Sequence, residues 1–271
     1  KEEYMRMIFR IARKELELLF YSPVAWFLLV LFTLQMGMMF VGKLGSFMSY
    51  MGAGGSMRLF AMGGLWMVVQ GYLYYYIPLL TMGIVSRELG SGSIKLLYSS
   101  PVKNSQIILG KYASMVIYAL VMFAILLVYV IIAGYLIKDF EWMAVLTGWF
   151  GLFLLTCTYM AVGVFVSSLT SYQFVSAIGT FVVLILLGNA YQLWQEYDFF
   201  RDITYWLSIG GRVNTFVFGM ICSEDLLYFP LVICLFLALT IIRLQAIRQK
   251  ERFFQTCGKY VVVIVVVCVC G

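Results

Sequence analysis

Hydrophobic residues in this chain are gathered into long uncharged runs, and the charged residues lie in short segments between them. Three such runs fall in the first half of the sequence, at Val24–Gly42, Leu59–Ser86 and Tyr112–Ile137. A helix needs about 20 apolar residues, at about 1.5 Å per residue, to cross about 30 Å of hydrocarbon. Each run has about this length, so each predicts one membrane-spanning helix.

A fourth uncharged run, Trp142–Gln195, is 54 residues long and would form a helix of about 80 Å. That is too long for one crossing, and the polar patch Ser167–Gln173 divides it into two spans joined by a tight turn. Leu226–Ile242 predicts a sixth span near the lower end of the usual length range. We therefore predict an all-α integral membrane fold with six transmembrane helices.

Two apolar pieces before the sixth span are too short to cross a bilayer. They are Ile203–Gly211 and Val213–Ser223, with Arg212 between them. Together they predict a re-entrant pair of short helices, with a hinge at Gly210 and Gly211, or a pair lying in the membrane interface. Tyr260–Gly271 predicts the start of a seventh span and hence a longer chain.

The overall composition supports a membrane location. Hydrophobic residues make up 63% of the chain and charged residues 12%, against about 45–50% and about 25% in soluble domains. The net charge is +6, and six crossings place 14 of the 19 lysines and arginines on one side. Because basic loops stay in the cytoplasm, we predict an inner (plasma) membrane protein with a cytoplasmic N-terminus.

The first 22 residues predict an amphipathic helix that lies in the membrane interface. Met5, Ile8, Ala12, Leu16 and Leu19 recur at helical spacing on one face. The basic residues Arg6, Arg10, Arg13 and Lys14 are available to lipid headgroups. Two roles fit this position: a surface anchor, or a lever that also contacts a cytoplasmic partner.

The segment SRELGSGSIKLLYSSPV, between the second and third spans, is longer than a plain turn requires. Gly90 and Gly92 predict a sharp backbone turn, and Ser91 or Ser93 can cap a new helix. An apolar turn follows and ends before Pro101. Such a short apolar helix outside the membrane needs a protein surface to cover it, either the N-terminal helix or a soluble partner.

This segment resembles the first cytoplasmic loop of ABC-2-type permeases, the membrane subunits of ATP-driven exporters with the type V exporter fold. The family pattern is E-x-x-x-G-T-I-x-x-L-L-x-S-x-P-V/I, and Ser93 stands where threonine is usual. The resemblance implies a coupling helix between spans 2 and 3 that docks on a separate ATP-binding subunit. The predicted coupling residues are Glu88, Gly90, Gly92, Ser93, Ile94, Leu96, Leu97, Ser100 and Pro101. For Glu88, a surface ion pair with Arg87 or a lysine is the alternative.

The resemblance implies a permease domain at residues 23–247, after the interfacial helix at 1–22, with a cytoplasmic linker and possible seventh span at 248–271. No GxxxxGK[ST] motif is present, so we predict that this chain is not an enzyme and binds no cofactor, with ATP and Mg²⁺ bound by the partner subunit. The predicted partners are that subunit, a second permease copy in a homodimer, membrane lipid and an extracytoplasmic accessory subunit, as in the gliding-motility-type branch.

The resemblance also implies an outer gate formed by the re-entrant element. The candidates for the gate or the transport pathway, which precede this element or lie in it, are Asn189, Gln192, Glu196, Gly210, Gly211 and Arg212. Arg212 is positioned to meet Glu196 or Asp198. Anchoring at the membrane surface through Tyr205 and Trp206 fits the same segment.

Two other functions compete with ATP-driven export of an unidentified substrate. An ion-coupled carrier is disfavoured because no acidic or basic residue lies in the middle of a predicted span. A non-transporting subunit that transmits ATP-driven movement to an extracytoplasmic partner would keep the same loop. The chain has no histidine and its cysteines form no CxxC pair, so we predict no metal site, and the basic charge is assigned to the membrane rather than to nucleic acid.

Overall fold

The computed structural model describes residues 2–49, 59–61, 64–93, 102–138, 140–189 and 209–249. These residues form helices joined by turns, without a strand among them. In chain order the helices are α1 (Glu2–Tyr21), α2 (Pro23–Ser49), α3 (Leu65–Thr81), α4 (Ser86–Ser91), α5 (Asn104–Leu136), α6 (Trp142–Ser167), α7 (Gln173–Gly188), α8 (Ile209–Val217) and α9 (Ser223–Gln249).

Five segments of the described chain are long and apolar enough to span a membrane. They are Pro23–Ser46, Leu65–Ser91, Asn104–Leu136, Trp142–Ser167 and Ser223–Arg248. The predicted fifth span is represented by α7, whose 16 residues extend about 24 Å, short of the roughly 30 Å required. The rest of that predicted span, to Gln195, lies outside the described residues, so the count of six spans stays a prediction.

Two predicted boundaries shift in the structure. The second span begins at Leu65 rather than at Leu59. Gly64, immediately before it, lies so close to the backbone of Leu59 that a β-carbon would collide with it. The third helix begins at Asn104, eight residues before the predicted start, so it contains Lys111. The charge that seemed to end this span therefore lies within a helix.

α6 is the central helix of the bundle. It packs against α3, α5, α7, α8 and α9, and 78% of its most apolar stretch is buried. Its glycines allow this close packing, because a β-carbon at Gly148 would meet Trp66, one at Gly151 would meet Phe216, and one at Gly163 would meet Thr81. Small residues at helix crossings are the usual means of tight packing in membrane proteins.

The helix α1 packs along the beginning of α5 instead of lying alone on a surface. Gly110 of α5 leaves no room for a side chain against Ile8 and Ile11, and the Tyr4 and Ser105 hydroxyl oxygens are 3.0 Å apart. We call this end of the bundle the α1 end and the opposite end the far end. Only part of the predicted apolar face of α1 is covered by α5: Ala12 is buried, while Met5 is 69% exposed.

Candidate functional site

A buried lysine joins three separate segments at the α1 end. The Lys111 ammonium donates to Glu15 Oε1 on α1 at 2.7 Å and to Glu88 Oε1 on α4 at 2.7 Å. It also donates to the backbone carbonyl of Ile84, in the turn that leads into α4, at 3.1 Å. Only 3% of the Lys111 side chain is exposed, against 14% for Glu15 and 20% for Glu88. We call these three side chains the Lys111 cluster.

The Lys111 cluster holds three helices together, and the fold is sensitive to the loss of any one of its charges. All three N–H groups of the ammonium have an acceptor, so the buried cation is fully satisfied. Buried ion pairs gain little over an apolar core, but removing one partner leaves an unpaired charge and costs about 3–5 kcal/mol. Because Glu15, Glu88 and Lys111 come from different helices, the cluster holds α1, α4 and α5 in one arrangement.

The turn between α3 and α4 is fixed from a second side by Ser167, at the end of α6. The Ser167 hydroxyl accepts hydrogen bonds from the backbone N–H groups of Val85 at 3.2 Å and Ser86 at 3.1 Å. Its Oγ lies 3.2 Å from the Met82 carbonyl, to which it donates. The stem that carries the predicted coupling segment is therefore bonded to both α5 and α6.

Gly90 and Gly92, which together predicted a sharp backbone turn and a flexible hinge, have different roles in the structure. Gly90 lies inside α4, so its predicted role as a hinge is wrong, and its missing β-carbon instead allows contact with the Ser171 carbonyl. Gly92 ends α4 with a φ of +71°, the left-handed region that glycine adopts cheaply. The chain therefore changes direction at Gly92, immediately before Ser93.

The described part of the predicted coupling segment comprises Glu88, Gly90, Gly92 and Ser93. The remaining predicted coupling residues lie outside the described residues; they are Ile94, Leu96, Leu97, Ser100 and Pro101. The described residues resume at Val102. At the start of α5, the Lys103 N–H donates to the Gln106 side chain at 3.0 Å.

The basic residues predicted to face lipid headgroups, Arg6, Arg10, Arg13 and Lys14, are all exposed along α1. Arg13 forms an exposed ion pair with Glu17 at 3.1 Å, one turn further along the helix. Pairs of this kind contribute only about 0.3–0.5 kcal/mol. The charged face of α1 is therefore exposed while its opposite face packs on α5.

A second buried ion pair lies at the far end. Arg212 Nη1 on α8 donates to Asp225 Oδ1 at 2.9 Å, and the Thr215 hydroxyl donates to Asp225 Oδ2 at 2.8 Å. The guanidinium also lies 4.4 Å from the centre of the Tyr228 ring, within the range of a cation–π interaction. Arg212 and Asp225 are each about nine-tenths buried. This cluster fixes α8 to the first turn of α9.

The structure does not bring the other predicted gate residues together at Arg212. Gly210 and Gly211 lie within α8, which runs through Arg212 without a break, so the predicted hinge and the division at Arg212 are wrong. Gly210 instead packs against the Gly188 carbonyl, where a β-carbon would collide. Asn189 bonds the carbonyl of Ile185 in its own helix. Gln192, Glu196 and Asp198 lie outside the described residues.

The ion pair with a lysine that was the alternative for Glu88 is present, but buried, whereas Glu15, Ser167 and Asp225 were not predicted as partners of either cluster or of the α3–α4 turn. Glu15 carried a usable signal, because it lies four residues after Ile11 and four before Leu19, on the face of α1 that is otherwise apolar. An acidic residue in an apolar row indicates a buried cation opposite it. Lys111, Ser167 and Asp225 carried no comparable signal, since each lies at the edge of a predicted span, where charged and polar residues are common.

A family model described as ABC-2 family transporter protein matches residues 9–196. The chain belongs to this family. The match includes both glutamates and the lysine of the Lys111 cluster, and it ends before α8. Among curated proteins, none matches the chain as a relative. Members of the family are multi-pass membrane subunits of ABC transporters, normally not catalytic themselves, and typically pair with a cytoplasmic ATP-binding subunit.

Proposed function

We propose that this chain is the permease subunit of an ATP-driven ABC exporter, and that its 86–102 segment receives the movement of a separate ATP-binding subunit. Family membership supports the pairing with an ATP-binding subunit. The six-span layout, the coupling helix, the cytoplasmic N-terminus, the inner-membrane location and the homodimer are parts of this proposal.

The observation that carries the proposal is the attachment of α4 through the Lys111 cluster. A segment that transmits force must be joined stiffly to the helices it moves and must be free to bend at its exposed end. Glu88 is bonded to Lys111 of α5, which is bonded in turn to Glu15 of α1. Gly92 then ends α4 in a left-handed conformation. A push on residues 94–101 would therefore be transmitted to α1, α3 and α5 together.

The test is co-purification of the full chain with candidate ATP-binding subunits, followed by measurement of ATP hydrolysis by the complex. The variants Leu96→Asp and Leu97→Asp place a carboxylate on the predicted docking surface. Leu169→Asp is the matched control, because Leu169 is 47% exposed in the α6–α7 turn at the same end of the bundle. We expect the first two variants to lose the bound subunit and the control to keep it.

Full binding and unchanged ATP hydrolysis with both Leu96→Asp and Leu97→Asp would contradict the coupling assignment. Failure of every candidate ATP-binding subunit to bind the wild-type chain would contradict the proposed function as a whole. Loss of binding with Leu169→Asp as well would show that the whole end of the bundle, rather than this segment, forms the docking surface.

A further inference from the structure

A cavity of about 200 Å³ lies at the α1 end, beside the Lys111 cluster and between α1, α2, α3 and α7. Most of the residues that line it are apolar, including Leu18, Leu19, Ala25, Leu28, Leu79 and Leu80. For comparison, an enclosed apolar cavity of about 150 Å³ is large enough to admit benzene. This cavity therefore has room for a stretch of hydrocarbon chain.

The cavity lies where two spanning helices begin and end. Ala25 and Leu28 belong to the first two turns of α2, and Leu80 belongs to the last turn of α3. Both segments have the length and composition of membrane spans, so their ends lie near the boundary between hydrocarbon and headgroups. The opening is towards the outside of the bundle, since Val24 is 47% and Leu79 is 43% exposed. An acyl chain in the bilayer can enter directly from the side.

The polar residues that line the cavity come from α1, the α1–α2 turn, α4 and the start of α7. They are Glu15, Ser22, Arg87 and Gln173. The Glu15 carboxylate is already bonded to the buried Lys111 ammonium. Arg87 is exposed and makes no hydrogen bond or ion pair with other residues of the described ranges, which leaves its guanidinium available. A guanidinium matches the geometry of phosphate oxygens and binds them through two parallel hydrogen bonds.

We propose that this cavity binds one phospholipid of the adjacent leaflet, with its phosphate at Arg87 and one acyl chain among the leucines of α1, α2 and α3. The Arg87 cation complements the phosphate of such a molecule, and the apolar cavity at the bilayer boundary complements its acyl chain. The bound lipid would contact α1 and the stem of α4 at once, next to the Lys111 cluster. The proposal requires only that the chain lies in a bilayer, so it is independent of whether an ATP-binding subunit docks.

The test is native mass spectrometry of the full chain purified in detergent, before delipidation and after addition of dioleoylphosphatidylglycerol. Arg87→Gln removes the phosphate ligand. Gly83→Leu places a side chain in the cavity, and its β-carbon has room because it would meet only the Gln173 side chain, at 3.8 Å. We expect the wild-type chain to keep one phospholipid and Arg87→Gln to bind it about ten- to a hundred-fold more weakly, the loss expected for one charge-assisted contact. Gly83→Leu should also weaken binding, because its side chain occupies space that the acyl chain would fill.

Arg10→Gln is the matched control, because Arg10 is also exposed on the α1 end and bonds to no described residue, but does not line this cavity. Retention of phospholipid should be the same in this variant as in the wild-type chain. If Arg10→Gln loses as much phospholipid as Arg87→Gln, the loss reflects general attraction between basic residues and headgroups, and the proposal is overturned. Wild-type retention with Arg87→Gln would overturn it too, whether or not Gly83→Leu folds. Dissociation of dimers by Arg87→Gln, without loss of lipid, would assign the opening to a second copy of the chain.

Discussion

Replacement of Lys111 by methionine tests the Lys111 cluster most directly. Methionine keeps the length and most of the volume of the lysine side chain but removes the ammonium that bonds Glu15, Glu88 and the Ile84 carbonyl. The two carboxylates then face each other without a counter-ion. We expect Lys111→Met to be among the most destabilising single substitutions outside the apolar core.

The magnitude follows from the geometry. The Glu15 and Glu88 oxygens are at most about 5.4 Å apart, since each lies 2.7 Å from the same nitrogen. Two unit charges at that distance repel by about 3 kcal/mol at an effective dielectric constant of about 20. Unpaired buried charges in other proteins cost about 3–5 kcal/mol, in agreement with this value. We therefore expect Lys111→Met to lower the free energy of unfolding by about 3–5 kcal/mol.

The assay is unfolding of the purified chain in mixed micelles with increasing sodium dodecyl sulfate, followed by circular dichroism. Lys103→Met is the matched control, because Lys103 is exposed at the start of the same helix and bonds to Gln106 and Ile107 through its backbone, which the substitution keeps. The triple variant Lys111→Met, Glu15→Gln, Glu88→Gln removes all three charges and should recover stability to within about 1–2 kcal/mol of the wild type. A loss below about 1 kcal/mol for Lys111→Met, or no recovery in the triple variant, would refute this reasoning.

Three further substitutions test other parts of the structure by the same assay. Gly92→Ala should cost about 1–2 kcal/mol because its φ is +71°, whereas Gly42→Ala should not destabilise, since nothing lies within 4 Å of the added β-carbon; equal effects would contradict the assigned conformation. Ser167→Ala should cost about 1–3 kcal/mol by leaving two backbone N–H groups of the α3–α4 turn without their acceptor, and a neutral result would show that the turn is held by other contacts. Arg212→Met should cost about 3–5 kcal/mol, and Asp225→Asn should add little once Arg212 is replaced; additive losses would mean that the two residues do not act as a pair.

Much of the helical layout followed from the sequence, but its boundaries did not. The uncharged runs predicted the helices now seen as α2, α3, α5, α6 and α9, because a segment that enters hydrocarbon must satisfy its own backbone and must be apolar over a fixed length. That criterion treats the first charged residue as the end of a span. It therefore placed Lys111 at the margin of the third helix, whereas a partner on another helix allows the charge to be buried inside it.

The glycines also show which features can be predicted from the sequence and which depend on packing. Gly90, Gly92, Gly210 and Gly211 all suggested bends from the sequence, yet of these four only Gly92 has a positive φ. Gly90 and Gly210 are helical and provide space for a carbonyl of a neighbouring segment. A glycine that gives conformational freedom and one that gives room for close packing look alike in a sequence, because the difference depends on which backbone lies opposite.

The sequence by itself determined the membrane class, the positions of most helices, the amphipathic nature of α1 and the family resemblance of the 86–102 loop. These properties depend on residues close together in the chain, through helical periodicity, apolar length and local motif. Tertiary structure alone decided that Glu15 and Lys111, which are 96 positions apart, share a hydrogen bond, and that Arg212 pairs with Asp225. Such pairs are set by how whole helices pack, because the cost of burying a charge can be offset only by the residue that packing brings beside it.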